Sequence, residues 1–444
     1  MNINRILNKG CFEALSLLTG KLPVERKAFQ NFQGRQLHRL VKHAYESVPY
    51  YRMLFEKNGF HPDHLDGLKS ISRVPISSKA DMLSYKPTDL ISSETQIDKL
   101  LSRRTTGSTG IPFTVHYTSF EQTYLSALRL KSLKRLGFRT TDKRARIRIY
   151  DKEFYGSQSL ITRIAGSLPI YRTIPISISS ELCEIVKLLT NLEPDIIQGY
   201  SNVIYRLSVE AEEMGRILRP RMVIVGADCL TEGMRRQIES TFQCPVREMY
   251  GSTEFNMIAW ECSQSGQLHV CEEGVILEVL RDGKPVSPGE WGEVVITALH
   301  SFAQPFIRFR LGDFVTWGEE SCSCGAPYST ILAIDGRMMD RILLPDGQTA
   351  RPYKLFFYLA QEQPWIRQHQ MVQESNYSVI LKLVPSRQPE PDELKAVDRE
   401  MLKLLGQKVS YRVELMPEIT LKHGEKFRVS RSYVYSHFSD HVQS

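Results

Sequence analysis

An α/β fold with a smaller α+β domain at its C-terminal end is the architecture this sequence predicts. Three observations predict it. Strand and helix patterns alternate from residue 181 to Tyr250, as in a sheet covered by helices. From Gly274 the texture changes to VILEVL and GEVVIT, divided by the turn-rich RDGKPVSPGEWG, which reads as β-hairpins. The final stretch then runs strand, helix, strand.

Taken in order, residues 34–58 form an amphipathic helix, because Leu37, Leu40, Val41, Ala44, Tyr45 and Val48 recur at helical spacing. Pro49 interrupts or ends it. Residues 71–120 are rich in Ser, Thr and Pro and read as loop and strand, and 120–136 as helix. Residues 181–216 give two helices around the strand PDIIQGY. A strand at Met222–Val225, a helix at 231–242 and a strand leading into Tyr250 follow. Near the end, YSVILKLV, DELKAVDREMLKLLG and YRVELM read as strand, helix and strand. A boundary at Asp335–Arg341 gives a large N-terminal domain of mixed sheets and helices at 1–336 and a small C-terminal domain at 337–444.

The 444 residues allow about three domains, or one large domain with an appendage. Hydrophobic residues at 42% and charged residues at 24% exclude a disordered or fibrous chain. The net charge, 57 − 50 = +7, suits a protein that handles anions such as nucleotides and implies no nucleic-acid partner. No apolar run approaches the roughly 18 residues of a membrane span. The N-terminal stretch is broken by Glu13 and lacks a small-x-small cleavage site, so it reads as mature protein. Eight cysteines are too few for a disulfide framework, and the cytoplasm is the expected compartment.

Five short segments carry chemistry. In Arg104-Thr105-Thr106-Gly107-Ser108-Thr109-Gly110-Ile111-Pro112, two glycines and four hydroxyl residues offer backbone N–H and O–H donors to a phosphate. No Gly-Lys-Ser/Thr follows, so it is not a Walker loop. Tyr250-Gly251-Ser252-Thr253-Glu254 follows a strand, with a glycine for close backbone approach and a carboxylate able to hold Mg²⁺. Ile307–Asp313 alternates as a strand, with Asp313 at its end to accept two hydrogen bonds from a ribose diol or to close a turn with an arginine. Gly336-Arg337-Met338-Met339-Asp340 lies at the boundary, and Gly424-Glu425-Lys426-Phe427-Arg428-Val429 near the C-terminus. Taken singly, each is equally an ordinary turn, helix start or solvated face.

Together and in this order, the five segments resemble the adenylate-forming enzymes, specifically the phenylacetate–CoA ligase-like branch that includes capsule-biosynthesis relatives. VKHAYESVPYYR resembles that branch's opening helix, and VGADCLTEGMRRQIE the stretch before its Y-G-x-[ST]-E motif. The resemblance implies a large N-terminal domain and a mobile C-terminal one. It implies that ATP and a carboxylate give acyl-AMP and pyrophosphate, and that a thiol, usually coenzyme A, then takes the acyl group. It assigns the ATP phosphates to Thr106, Gly107, Ser108, Thr109 and Gly110. Gly226, Ala227 and Asp228 would line the adenine, largely through backbone, with Tyr250 against the ring and Gly251 and Ser252 beside it. Thr253 would meet the α-phosphate, Glu254 the Mg²⁺ and Asp313 the ribose, with Arg337 at the hinge. Lys426 would reach the α-phosphate during adenylation.

The chain departs from the family pattern at Ile111, at Leu311-Gly312 and at LLPDGQTARPYKLF after the hinge. An amine, a carrier-protein thiol or a deazaflavin-type cofactor therefore stays open as acceptor, and an inactive scaffold is the reading from another class. The acyl pocket is drawn from about Tyr150–Ile178, Tyr200 and Gly226–Cys229. Tyr155, Tyr171 and Tyr200 suit an aromatic or medium-sized acid and serve equally as core. The sequence admits a homodimer.

The cysteines add a second constellation. Cys262 and His269 lie in ECSQSGQLHVCEE, and Cys322 and Cys324 in CSCG. Four such ligands make a tetrahedral structural Zn²⁺ site, with Cys271 as a competing ligand. Spacing alone leaves zinc and unligated loop cysteines evenly matched, and the resemblance favours zinc. Arg129–Arg148, with nine Lys/Arg and one Asp, offers charge to the coenzyme A phosphates or another anion, and reads more readily as a solvated helix face plus loop.

Overall fold

The structure, a computed structural model, describes residues 26–104, 113–149, 172–337, 342–350, 352–419 and 427–434. Its mixed α/β character is the one expected. The chain divides into two compact units, each built from two segments: Met1–Phe138 with Met249–Ile334, and Arg139–Glu248 with Asp335–Ser444.

In the first unit, helices Arg26–Ser47 and Pro49–Lys57 take up the predicted amphipathic stretch. Pro49 opens the second helix, where its missing N–H needs no partner. Leu37, Leu40, Val41, Ala44 and Val48 are buried in one core with the sheet residues Val275, Val294, Ile296 and Ile331. The sheet runs in the order Lys284–Pro285, Val275–Arg281, Trp291–Ala298, Phe309–Trp317, Thr330–Arg337, Leu268–Val270, Ala259–Glu261. Its hairpin pairs antiparallel from Val275↔Ala298 to Leu280↔Glu293. Helix Ser119–Arg135 starts at a capping box formed by Thr118 and Glu121. The buried Glu121 carboxylate also accepts from the backbone N–H groups of Phe302 (2.7 Å) and Ala303 (2.9 Å). Burial pushes its carboxyl pKa up, and these hydrogen bonds pull against that shift.

The second unit holds a parallel sheet in the order Thr173–Ser177, Arg144–Arg148, Ile196–Tyr200, Met222–Gly226. Ala145, Ile147, Ile197, Val223 and Val225 pack against helices Leu182–Leu192, Ser201–Glu213 and Glu232–Phe242. The Arg144–Arg148 part of the basic stretch is therefore a sheet strand, which corrects the expected helix face and loop. Its alternation with Ala145 and Ile147 has the period of a strand.

In the same unit, the C-terminal strands pair in the order Tyr411–Leu415, Val379–Pro385, Ile366–Gln373, Ser430–Ser432, with helix Pro391–Leu405 packed on their core. Ile366–Gln373 escapes a pattern reading because Gln368, His369, Gln370 and Gln373 are buried. Their amides find specific partners: Gln368 donates to Asn202 Oδ1 at 2.8 Å, Gln370 to the Arg428 carbonyl at 2.9 Å and Gln373 to the Leu343 carbonyl at 2.7 Å. Val384, Ile419, Phe427 and Val429 join the core of the helices around the parallel sheet.

Gly233 sets how closely this C-terminal segment approaches helix Glu232–Phe242. A Cβ added there would lie 2.8 Å from the Arg367 carbonyl oxygen and 3.0 Å from that of Ile366, both backbone atoms. Gly233→Ala is expected to cost about 1–3 kcal/mol, the scale of overpacking. It should raise the rate of limited proteolysis in 335–444. A proteolytic pattern and Tm identical to the parent would contradict this docking role.

Candidate functional site

Tyr250 closes the strand Val246–Tyr250, and its hydroxyl donates to Asp313 Oδ2 at 2.7 Å, both residues being buried. Asp313 was expected at a strand end but sits inside Phe309–Trp317. Opposite it, Val295 pairs with Arg310 and Glu293 with Phe314, so Leu311, Gly312 and Asp313 face the single residue Val294. Gly312 takes φ +82°, a left-handed conformation that glycine adopts without a Cβ penalty. The bulge thus re-aims Asp313 toward Tyr250. Asp313 does not close a turn with Arg308, whose partner is Glu278 through two hydrogen bonds of 2.9 and 2.8 Å.

The loop after Tyr250 is wound tightly. Asn256 N donates to the Ser252 carbonyl at 2.8 Å, and Ile258 N to the Tyr250 carbonyl at 2.9 Å. Phe255 is buried against Phe306 and Phe309 and pins the loop inward. Gly251 is required here, since a Cβ would overlap the Asn256 carbonyl oxygen. Ser252, Thr253 and Glu254 stay half-exposed. Among the described residues, no hydrogen bond or ion pair engages the Glu254 carboxylate.

In the second unit, Gly226 ends its strand beside Tyr200, and Ala227 takes φ +73°. A non-glycine residue there carries roughly 1–2 kcal/mol of strain. The Asp228 side chain accepts from Ser201 N at 2.6 Å and Asn202 N at 3.3 Å, and its carbonyl accepts from Ser201 Oγ at 3.1 Å. Asp228 thus caps helix Ser201–Glu213 from a neighbouring loop, and this contact holds Ala227 in its turn. What remains for a ligand from Gly226–Asp228 is backbone.

Cys262, His269, Cys322 and Cys324 come together with all four ligand atoms within 4.8 Å of one another. The Cys262 and Cys322 sulfurs are 3.9 Å apart, and Cys324 Sγ is 3.5 Å from His269 Nε2. Tetrahedral zinc, with bonds of about 2.3 Å to sulfur and about 2.0 Å to nitrogen, sets these separations at about 3.8 and 3.5 Å. The residues fit the ion. Burial drives the Cys262 thiol up, but hydrogen bonds from Ser265, Gln264 and Cys324 overcome it and bring it down to about 7. Burial, with Arg135 nearby, lowers His269 to about 4, leaving the neutral imidazole a metal requires. Burial raises Cys324 to about 11. Cys271 instead points to Glu273, Sγ to Oε2 3.9 Å. His269 stacks on Tyr328, whose hydroxyl donates to Glu273 at 2.7 Å, and Glu273 is paired with Lys131.

Thr106, Gly107, Ser108, Thr109, Gly110, Tyr155, Tyr171 and Lys426 lie outside the described residues. The phosphate-loop candidate joins strands Leu101–Arg104 and Thr114–Tyr117, which pair antiparallel from Leu101↔Tyr117 to Arg104↔Thr114. Arg337 closes the strand Thr330–Arg337. No signal in the sequence marks Asp228 as a cap or Glu278 as the partner of Arg308, because both contacts join distant segments.

No protein-family model matches this sequence. The chain is 25% identical over 328 residues to the phenylacetate–coenzyme A ligase of Thermus thermophilus, covering 72% of each. It is 28% identical over 307 residues to the phenylacetate–coenzyme A ligase of Escherichia coli, covering 66% of this chain and 68% of that one. Among solved structures, it is similar to 2-hydroxyisobutyryl-CoA ligase in the postadenylation state in complex with R3-HIB-AMP. The TM-score is 0.74 at 19% identity, covering 92% of this chain and 91% of that one, and this likeness shows the fold.

Two outcomes are expected. Gly251→Ala should lower stability by about 1–3 kcal/mol through overpacking, read as a fall in Tm; an unaltered Tm would mean the loop opens freely. Purified protein should carry about one zinc per chain by elemental analysis. The Cys322→Ser/Cys324→Ser variant should lose that metal and about 5 °C or more in Tm, since about 1 kcal/mol moves a domain of this size by about 2–4 °C. Metal-free protein with the parent's Tm would refute the zinc assignment.

Proposed function

We propose that this chain, which stands in the phenylacetate–CoA ligase-like branch of the adenylate-forming enzymes, converts a carboxylic acid, ATP and coenzyme A into acyl-CoA, AMP and pyrophosphate. The observation that carries the reading is the buried Tyr250–Asp313 pair, set by a glycine bulge beside a glycine-locked loop that presents Thr253 and Glu254.

In the first half-reaction, a carboxylate oxygen of the acid attacks the α-phosphorus. The bond from that phosphorus to the bridging oxygen breaks, and pyrophosphate leaves. In the second, the thiol sulfur attacks the acyl carbonyl, the bond to AMP breaks, and the thiol proton passes to solvent. The Tyr250 hydroxyl fixes the rotation of the Asp313 carboxylate, so its oxygens meet a ribose diol in a set direction. The Tyr250 ring and the backbone of Gly226, Ala227 and Asp228 take the adenine. Backbone N–H groups and hydroxyls of Thr106–Gly110 hold the phosphates.

Thr253 meets the α-phosphate, and Glu254 is the ligand for magnesium, which when bound neutralises phosphate charge. Lys426 places a cation where negative charge grows at the α-phosphorus. The segment 337–444 acts as a lid that turns at Arg337–Arg341 between the two steps, because that cation serves only the first. Tyr155, Tyr171 and Tyr200 line the acyl pocket. Cys262, His269, Cys322 and Cys324 hold a structural zinc ion, and the cytoplasm supplies ATP and coenzyme A.

The test is acid-dependent ATP–pyrophosphate exchange, followed by consumption of the acyl-AMP on adding coenzyme A. Lys426→Ala should slow adenylation by about a hundredfold or more, the scale of losing a transition-state donor. It should spare thioester formation from supplied acyl-AMP. Equal loss in both half-reactions would remove Lys426 from this role.

A further inference from the structure

The carboxyl edge of the parallel sheet carries an arginine that the roles above leave unused. Arg144, Arg146 and Arg148 alternate with the core residues Ala145 and Ile147, so all three leave the strand on the face opposite that core. Arg144, at the strand's start, donates to Thr173 Oγ1 at 2.9 Å. Arg148, at its end, is half-buried, and its guanidinium lies over the Tyr200 ring, 5.9 Å from the centroid. Arg148 is in register with Ser177 on one neighbouring strand, and Tyr200 with Gly226 on the far side. Ser177, Arg148, Tyr200 and Gly226 thus form a row across four strand ends, the edge at which open α/β sheets bind ligands. Among the described residues, no carboxylate is paired with Arg148.

A half-buried cation held over a ring, at a ligand-binding edge, calls for an anion from the ligand. Partial burial weakens its hydration, and the ring face restores only a fraction of that loss. The ring contact uses none of the guanidinium N–H groups, which stay available to fork onto a carboxylate. We propose that Arg148 selects an acid bearing a second anionic group, in the simplest case a dicarboxylic acid, by a forked hydrogen-bonded pair with the carboxylate that is not activated. Tyr200 packs along the carbons between the two. This rests on the ligase reading, which puts the reacting carboxylate at ATP, and deepens it by naming the substrate class.

The experiment is ATP–pyrophosphate exchange with a series of dicarboxylic acids of increasing length, each compared with its own monomethyl ester. The ester keeps the carbon skeleton and removes one charge. The parent enzyme should favour the best diacid over its ester by about tenfold or more in kcat/KM. Arg148→Gln should raise KM for the diacid about ten- to a hundredfold, the loss of a charged hydrogen-bonded pair, with kcat changed far less. The ester should lose at least tenfold less, and Arg148→Lys should recover part of the diacid preference. An unchanged Tm in both variants excludes a folding effect. Equal use of diacid and ester by the parent, or equal losses for both in Arg148→Gln, would overturn the proposal while leaving the ligase reading intact. Absence of exchange with every acid would bring down the ligase reading itself, and this proposal with it.

Discussion

The geometry of the Asp313 region depends on one buried guanidinium. Arg308 forks onto Glu278 and donates its two Nη1 N–H groups to the carbonyls of Ser72 (3.1 Å) and Val74 (2.7 Å). Both side chains of the pair are nearly fully buried. Such a pair has little net worth against an apolar substitute, yet losing one partner leaves a charge stranded in low dielectric, at about 3–5 kcal/mol. The pair therefore acts mainly as a register lock. It fixes the 72–74 segment, the hairpin strand of Glu278 and the start of the Asp313 strand against each other. Arg308 itself sits at φ +43°, which the surrounding bonds must hold. Tyr51 adds a second clamp one residue earlier, donating to the Pro305 carbonyl and accepting from Ile307 N. Glu121 adds a third, at Phe302 and Ala303.

Within each unit the chain makes local exceptions. The bulge at Leu311–Asp313, the glycine at 251 and the left-handed Ala227 are each unfavourable in isolation and are each held by nearby contacts. Backbone departures of this kind turn side chains and amides away from the repeating lattice of a sheet. The cluster of Cys262, His269, Cys322 and Cys324 rests on the same logic. His269 is oriented by stacking on Tyr328, which is held by Glu273, which is held in turn by Lys131 of helix Ser119–Arg135. The loop carrying Cys322 and Cys324 is thereby tied to the strands carrying Cys262 and His269.

Legibility in the sequence followed the kind of contact involved. The helices from Arg26 to Lys57, the alternation between Leu182 and Tyr250 and the antiparallel hairpin at Val275–Ala298 appear in the pattern because apolar spacing records which face is buried. Ile366–Gln373 did not, because four of its seven buried positions are glutamines and a histidine, the glutamine amides being held by partners elsewhere in the chain. Arg148 was submerged in a run of charges. Only the neighbouring strands show that it alternates with a core face and meets Tyr200.

By itself the sequence determined the α/β class, the order of the five motifs and the residue types that make phosphate, ribose and metal chemistry available. Those are properties of composition and short-range spacing, which a linear chain states directly. The tertiary structure alone decided that Asp313 lies within a bulge and meets Tyr250. It decided that Arg308 belongs to Glu278, and that Asp228 spends its side chain on the Ser201 helix. Each of these contacts joins residues 27 to 63 positions apart or spans a change of strand register. Local spacing carries no record of such pairings, because they follow from how whole elements pack and which buried polar groups are left to satisfy one another.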